Sequence, residues 1–349
     1  MAKLSAKEIE KLVKEHRERL EEHFNAPAQP KIMTMAPKVA VEVAMPGWQA
    51  KGWYEDRRVY NLPPIGFQEQ ADAIVECVKA GAAVVHTHPR DPETGLTAPV
   101  YPPSIRHRHV ECLSEVMDRA HDKVDFVTAH HTWTWDDSKR DTDYVTDTKE
   151  LLEEGQKKGI GNFYVQLAMI MSMPGFGTTA PVHTREAIIE GTKWFESNSI
   201  KPMFSCESFA IDRFNQILFQ SGVAKWTPFW LAIQEGKHDD DRTFADPWCA
   251  FETMASVGLA KTALGDKVMV GFHPAGRNWL QVAANALLHG AEFIRVGIED
   301  QFYLYPHRDD ISRMASDTTR IMVDLIHALG REVATPAEVR RRAKIKLTK

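Results

Sequence analysis

The chain has 349 residues, of which 43% are hydrophobic and 26% are charged, and its formal net charge is −5. This composition is typical of a soluble globular protein. It offers no basic surface for nucleic acid, and no apolar run is long enough to cross a bilayer, so neither a nucleic-acid nor a membrane partner is indicated. The four cysteines form no Cys-x-x-Cys pair and are typical of reduced thiols in a cytoplasmic protein.

The first predicted element is an amphipathic helix over residues 5–24, which Ser5 and Glu8 begin as a capping box. Its apolar positions recur on one helical face: Ile9, Leu12, Val13, His16 and Leu20. Residues 25–37 are rich in proline and alanine and are predicted to be a linker. We expect this N-terminal part, residues 1–37, to pack on the body of the protein or on a neighbouring subunit.

From residue 38 onward, short apolar strands alternate with amphipathic helices. The predicted strands are 38–44, 82–88, 125–130, 162–170, 201–206, 229–233, 267–272 and 293–298. The predicted helices are 66–80, 103–121, 143–158, 184–198, 208–221, 247–264, 277–289 and 309–329. Eight such units predict an α/β fold, a (β/α)₈ TIM barrel over residues 38–349, with its active site at the carboxyl ends of the strands. An open doubly wound sheet is disfavoured, because the loop Met45-Pro46-Gly47-Trp48 is no glycine-rich phosphate loop.

Two histidines at the end of the second strand are candidate metal ligands. Side chains alternate between the faces of a strand, so His86 and His88 point the same way. Alternation also places Arg295 and Glu299 of the eighth strand towards the barrel interior. Barrel closure brings the eighth strand beside the first, and therefore Glu299 within one strand of the two histidines. Two histidines and one glutamate are a set that binds catalytic zinc.

Further charged groups fall near this predicted metal site. Asp300 follows Glu299 and is a candidate general base, although it would also suit the cap of the next helix. The buried Arg295 requires a partner, and Glu42 of the first strand is the candidate, unless Glu42 faces outward onto a helix. His130 at the end of the third strand is a candidate substrate ligand, or it packs beside its neighbours. His273 fits the pocket and simple packing equally well.

Several of these segments together resemble the β-keto acid cleavage enzyme family. The resemblance runs from about residue 38 to 345 and rests on Gly81-Ala82-Ala83-Val84-Val85-His86-Thr87-His88-Pro89-Arg90-Asp91, on Ile294-Arg295-Val296-Gly297-Ile298-Glu299-Asp300, on Leu329-Gly330-Arg331-Glu332-Val333-Ala334-Thr335-Pro336, and on Gly276-Arg277 and Glu207-Ser208. The resemblance implies a TIM barrel, usually a homotetramer. It also implies Zn²⁺ held by His86, His88 and Glu299.

The activity that the resemblance implies is a transfer between a β-keto acid and acetyl-CoA, which gives acetoacetate and a new acyl-CoA. The metal would bind the keto and carboxylate oxygens of the keto acid. Asp300 would act as the base with the support of Arg295, and the enolate would attack the thioester before a retro-Claisen cleavage. Glu207 and Gln166 fall at family positions for substrate binding.

Two departures from the family pattern concern the substrate. The loop after the first strand carries Trp48 where family members with cationic substrates carry an acid, so an amine-bearing substrate is not supported. The third strand ends in His130-His131-Thr132 instead of a small hydroxyl residue and glycines. Two alternative functions remain, a metal-dependent hydrolase or aldolase that uses no CoA, and a binding protein with a structural metal.

Overall fold

The computed structural model describes residues 3–24, 35–45, 64–95, 97, 107–130, 134–136, 141–172, 183–207, 211–236 and 249–348. The chain divides into two units, Met1–Met35 and Ala36–Lys349. The first unit contains helix α1 (Ala6–Phe24), and Ser5 begins it as predicted, because its hydroxyl and backbone N–H both donate to Glu8 Oε2, at 2.7 and 2.8 Å. The loop containing Trp48, together with His131, Thr132 and Ser208, lies outside the described residues.

The second unit is a closed barrel of parallel strands, as the alternation of strands and helices predicts. In the described residues its eight strands are β1 (Lys38–Ala44), β2 (Val84–His86), β3 (Val127–His130), β6 (Leu167–Ser172), β7 (Lys201–Glu207), β8 (Phe229–Glu235), β9 (Val268–Pro274) and β10 (Phe293–Val296). Strand β10 pairs with β1, which closes the cylinder. The (β/α)₈ prediction is confirmed, and the carboxyl ends of all eight strands meet at one rim.

Helices connect the strands on the outside. The described helices of this unit are α2 (Phe67–Lys79), α3 (His107–His121), α4 (Thr146–Lys157), α5 (Arg185–Ser197), α6 (Ile211–Phe214, continued by a π-helical turn over Asn215–Phe219), α7 (Cys249–Leu264), α8 (Trp279–Leu288), α9 (Ala315–Ala328) and α10 (Pro336–Ala343). Among the described residues, no helix is both long enough and apolar enough to cross a bilayer.

Strand alternation divides the buried side chains into two sets. One set faces the helices and includes Val41, Val43 and Val85, while the other faces the barrel axis and includes Val84 and Trp230. Both sets consist of buried apolar residues, so the strands are covered on both faces, as is usual for parallel strands. Towards the amino ends of the strands the axial side chains are apolar and pack together. The polar residues at the rim therefore lie above a closed apolar layer.

The structure corrects the fourth predicted strand. Residues Phe163–Val165 form a 3₁₀ turn, and the strand begins only at Leu167 and continues to Ser172. Phe163, Tyr164 and Val165 are fully apolar or aromatic and thus resemble a strand, yet they are buried in a connection instead. The shift moves every residue of this segment down the barrel relative to the prediction.

Three other segments differ from the predicted order. A short antiparallel hairpin, β4 (Thr134–Asp136) with β5 (Asp141–Asp143), follows β3 and was not predicted. The last long helix begins at Ala315 instead of residue 309. Residues 309–314 belong to the preceding connection, in which Ile311 forms an isolated antiparallel bridge with Tyr303. Strand β11 (Glu332–Val333) then pairs with the start of β1, and α10 follows it.

Candidate metal centre and active site

Three potential metal ligands converge at the barrel rim, as predicted. His86 ends β2, His88 follows it, and Glu299 follows β10. His86 Nε2 lies 3.2 Å from His88 Nε2 and 3.4 Å from a Glu299 oxygen, and His88 Nε2 lies 3.8 Å from the other Glu299 oxygen. Ligands about 2.1 Å from a tetrahedral zinc ion stand roughly 3.4 Å apart. One nitrogen from each histidine and one Glu299 oxygen all lie within 4.8 Å of one another, so the three residues fit one ion.

The barrel closure explains how Glu299 reaches two histidines more than two hundred positions earlier. Strand β1 lies between β10 and β2, with Val43 level with Val296 and Ala44 level with His86. Gly297 lies so close to β1 that a Cβ atom at this position would be 2.0 Å from the Ala44 carbonyl oxygen. Its φ of 124° also belongs to the region that favours glycine. This close approach carries Glu299 across β1.

The hydrogen bond of His86 prepares its other ring nitrogen for metal binding. His86 Nδ1 lies 3.1 Å from the Ala129 carbonyl oxygen. A carbonyl only accepts, so the proton is assigned to Nδ1, and the lone pair of Nε2 faces the space between His88 and Glu299. Metal-binding histidines are commonly oriented in this way. The donor set, its spacing and this tautomer all fit a divalent ion.

The electrostatics of the site also favour a cation. The buried Arg295 guanidinium lies 2.7 Å from Glu299, 2.7 Å from Asp300 and 3.9 Å from Glu42. Burial by itself would lower the pKa of Arg295, but Asp300, Glu299 and Glu42 together raise the pKa above its ordinary value. Three carboxylates beside one guanidinium leave two negative charges, which a divalent ion would neutralise.

Asp300 is positioned by both its backbone and its side chain. Its N–H donates to the Gly297 carbonyl at 3.1 Å, and its own carbonyl accepts from Gly276 at 3.2 Å. The carboxylate contacts Arg295 Nε at 2.7 Å. Asp300 therefore stands beside the metal site without belonging to the set of three candidate ligands.

Glu42 faces the barrel axis, as the pairing prediction requires, and it has a second neighbour. It is level with Arg295 across the β1–β10 pair, and its other oxygen lies 3.4 Å from His273 Nε2. Both side chains are fully buried. Burial lowers the pKa of His273 despite the opposing effect of Glu42. The ring also packs edge-on against Phe293, with 6.2 Å between the ring centroids, so a role of His273 in the pocket stays a prediction.

The predicted role of Gln166 in substrate binding is wrong, because Gln166 does not lie at the carboxyl end of its strand. Gln166 precedes β6 and so lies at the amino end of the barrel, opposite the rim. Its side chain donates to the Phe126 carbonyl and accepts from Arg340 Nε at 2.9 Å. The residues at the carboxyl end of this strand are instead Met171 and Ser172.

His130 ends β3, but it belongs to the helix-facing side of that strand. Its neighbour Ala129 is in the axial set, and strand alternation turns His130 the other way. Burial lowers its pKa well below the ordinary value, and the nearby His109 of α3 and His88 lower it further. His130 is thus a buried neighbour of the metal candidate His88, and a direct contact with substrate stays a prediction.

Glu207 and two residues that the sequence analysis missed complete the rim. Glu207 is the last residue of β7 and is buried, level with Gln234 of β8. Gln234 donates to the Ser205 hydroxyl at 2.7 Å, and Glu235 accepts from Thr253 at 2.6 Å. The sixth predicted strand ended at Ile233. Continuing its alternation by one step would have placed Gln234 on the axial face.

Comparisons with known proteins agree with this fold. The family model described as beta-keto acid cleavage enzyme matches residues 38–345. The 3-dehydrocarnitine:acetyl-CoA trimethylamine transferase of Rhizobium meliloti (strain 1021) is 25% identical over 299 residues, which cover 82% of this chain and 90% of the relative.

Solved structures of ObcA share the barrel. Its binary complex with oxaloacetate has a TM-score of 0.61 at 14% identity and covers 82% of this chain and 68% of that chain. Its ternary complex with a C4-CoA adduct and oxalate has a TM-score of 0.59 at 14% identity, with coverage of 81% and 67%. At this identity the similarity concerns the fold alone.

Proposed function

The chain belongs to the β-keto acid cleavage enzyme family. We propose that it is a zinc-dependent enzyme that transfers the acyl group of a β-keto acid to CoA and replaces it with the acetyl group of acetyl-CoA. The products would be acetoacetate and the CoA thioester of the remaining acyl group. The R. meliloti relative, whose name includes acetyl-CoA, supports the choice of co-substrate.

The observation that carries this proposal is the pairing of a metal-binding set with a base at the barrel rim. His86, His88 and Glu299 offer ligand atoms that all lie within 4.8 Å of one another. Asp300 stands next in sequence to Glu299 and contacts Arg295 instead of joining the ligands. Chemistry on a keto acid requires both an electrophile for the keto oxygen and a base for the adjacent carbon.

The first chemical step is assigned to Asp300. Its carboxylate accepts a proton from the carbon between the keto group and the carboxylate of the substrate. Arg295 fixes the carboxylate orientation through the 2.7 Å contact at Nε. A divalent ion held by His86, His88 and Glu299 would polarise the keto group and stabilise the enolate charge.

The remaining steps conserve every atom and return the proton. The substrate carbanion attacks the thioester carbonyl of acetyl-CoA, and the CoA thiolate leaves. The thiolate then adds to the original keto carbon, and the bond between that carbon and the new acetoacetyl unit breaks. Asp300 returns its proton to acetoacetate, and the acyl-CoA departs. The buried polar residues Glu42, Glu207, Gln234 and His273 line the same rim and are candidates to orient the substrate.

The test is a product assay on purified protein with a panel of β-keto acids and acetyl-CoA. The panel should contain β-keto acids with uncharged side chains, because the sequence of this chain does not support an amine-bearing substrate. It should also contain 3-dehydrocarnitine, which the name of the relative gives as its substrate. We expect acetoacetate in one of these mixtures, loss of product after chelation, and recovery with zinc. His86→Ala should bind no zinc, while the exposed His107→Ala should bind about one ion per chain.

Three outcomes would contradict the proposal. Metal-dependent product that forms equally well without acetyl-CoA would favour the hydrolase or aldolase alternative. Full zinc binding by His86→Ala would remove the metal assignment, and with it the proposed electrophile. No CoA-dependent product from any β-keto acid in the panel would reject the transfer reaction.

A further inference from the structure

Helix α1 presents an apolar stripe that the N-terminal unit does not cover. The stripe consists of Ile9, Leu12, Val13, His16 and Leu20. Ile9, Leu12, Val13 and Leu20 are 40–52% exposed. A helix of this length is marginal in water unless its apolar face is buried against another surface. The stripe is therefore an interaction surface, and the question is what partner its flanks fit.

The charges that flank the stripe are ordered along the helix. On one flank Glu10 lies in the first half and Arg17 lies two turns later, and on the other flank Glu8 and Arg19 follow the same order. The described ion pairs within the helix, Lys11–Glu15 and Lys14–Glu18, involve lysines of the opposite face. Glu21 and Glu15 lie on the same two sides but further from the stripe. At the positions nearest to the stripe, both flanks thus carry an acid in the first half and an arginine in the second half.

We propose that α1 pairs in antiparallel orientation with α1 of a second copy of this chain. In this arrangement Ile9 packs against Leu20 of the other copy, and Val13 packs against His16. Each flanking glutamate then meets an arginine of the other copy, Glu10 with Arg17 and Glu8 with Arg19. Flanking charges of this kind set the orientation of paired helices.

The parallel arrangement fails for the same reason. It would place the glutamates of both copies side by side at one end and the arginines side by side at the other. An antiparallel pair also has twofold symmetry, in which each contact occurs twice, as is usual for interfaces between identical chains. The inference is independent of the proposed catalytic activity, because α1 precedes the residues that match the family model.

The test is disulfide cross-linking of the full-length protein. Chains that carry Ile9→Cys and chains that carry Leu20→Cys are purified separately, and are also co-expressed with different tags. After mild oxidation we expect a cross-linked dimer in the co-expressed sample and at least fivefold less in either single variant. The natural Cys77, Cys112 and Cys206 are buried, and the unsubstituted protein controls for every natural thiol.

The matched control uses Lys11→Cys with Glu18→Cys, which stand at equivalent levels on the opposite face and should not cross-link. Cross-linking of each stripe variant with itself would show a parallel pair and overturn the proposal. Absence of cross-linking in every stripe sample, with the protein folded, would show that α1 does not pair with a second α1.

A charge exchange provides the second measurement. Adding Arg17→Glu to both stripe variants places like charges beside Glu10 and should lower the cross-linking yield at least twofold. Adding Glu10→Arg as well should restore the yield, because the ion pair is rebuilt with its signs reversed. An unchanged yield in both cases would show that these flanks do not face each other.

Discussion

At the scale of single residues, the site is defined by what surrounds Arg295. Its guanidinium contacts two carboxylates in different surroundings, since Glu299 faces the histidines while Asp300 does not. A carboxylate bound to a metal is a poor base, because its charge is already shared. The geometry thus distinguishes two neighbouring acids that are chemically alike, and a substitution at Asp300 should separate base catalysis from metal binding.

We expect Asp300→Asn to bind zinc as well as the parent and to lose about 10²–10⁴-fold in turnover, the usual contribution of a general base. The amide preserves the size of the side chain but cannot accept the substrate proton. Zinc content and steady-state rate, measured on the same preparation, check both parts. The exposed Asp122→Asn is the control and should keep full rate. Turnover within threefold of the parent would exclude Asp300 as the base.

Gly297 offers a second test at this scale, because it determines how closely β10 approaches β1. Gly297→Ala should destabilise the fold by about 1–3 kcal/mol through backbone strain, and should also weaken zinc binding by displacing Glu299. Urea unfolding and competition with a zinc chelator measure the two effects. Gly159→Ala is the matched control, since Gly159 also has a positive φ, of 72°, but nothing within 4 Å of the added Cβ. Equal zinc affinity in the two variants would refute this role.

At the scale of elements, the alternation of strands and helices was enough to predict the barrel and hence the convergence of His86, His88 and Glu299 at one rim. The predicted strands were too long, because β2 ends at His86 and β10 ends at Val296, so His88 and Glu299 lie beyond the strands. The prediction of strand bounds failed where the residue composition does not change between the strand and the connection beside it. Phe163 to Val165 are as apolar as a strand, and only the tertiary fit decides that they form a turn, so Gln166 was assigned to the wrong end. Glu235 was missed for the related reason that its strand continues to this charged residue.

A buried lysine, Lys201, lies at the amino end of β7, and its burial predicts how the unfolding free energy depends on pH. Lys201 Nζ donates to the carbonyls of Trp226 and Pro228 at 2.5 and 2.6 Å. Burial lowers its pKa to about 7. The unfolded chain keeps its proton up to about pH 10.4, so between these values the unfolded state binds one more proton. Stability from this group therefore rises with pH across that window.

We expect Lys201→Met to remove this dependence. From pH 7.5 to pH 9.0, the unfolding free energy of the parent should rise by up to about 2 kcal/mol relative to the variant, at 1.36 kcal/mol per proton and pH unit. Urea titrations at the two pH values give the difference, and lost hydrogen bonds cancel because they are independent of pH. The exposed Lys149→Met should follow the parent. Parallel pH profiles for parent and Lys201→Met would reject the lowered pKa.

At the scale of the whole molecule, the candidate site and a network of charged hydrogen bonds around Arg340 lie at opposite ends of the barrel. The rim carries several carboxylates and histidines in close contact, which is costly for folding. The amino end is closed by α10, whose Arg340 binds both oxygens of Asp125 at 2.8 Å and the Phe126 carbonyl at 2.6 Å. Its Nε donates to Gln166. This closure joins the starts of β3 and β6 to the last helix.

Arg340→Met should therefore affect stability without affecting catalysis. Losing charged hydrogen bonds to Asp125, Phe126 and Gln166 should lower the unfolding free energy by about 2–3 kcal/mol, because the Gln166 and Phe126 acceptors stay buried. The value of kcat/KM should stay within twofold of the parent, since the rim lies at the other end of the strands. Urea unfolding and the acetoacetate assay test both expectations. Arg341→Met on the same helix, with its side chain 74% exposed, is the control. A large loss of kcat/KM in folded Arg340→Met would show that the two ends are coupled, and unchanged stability would show that α10 does not secure the barrel.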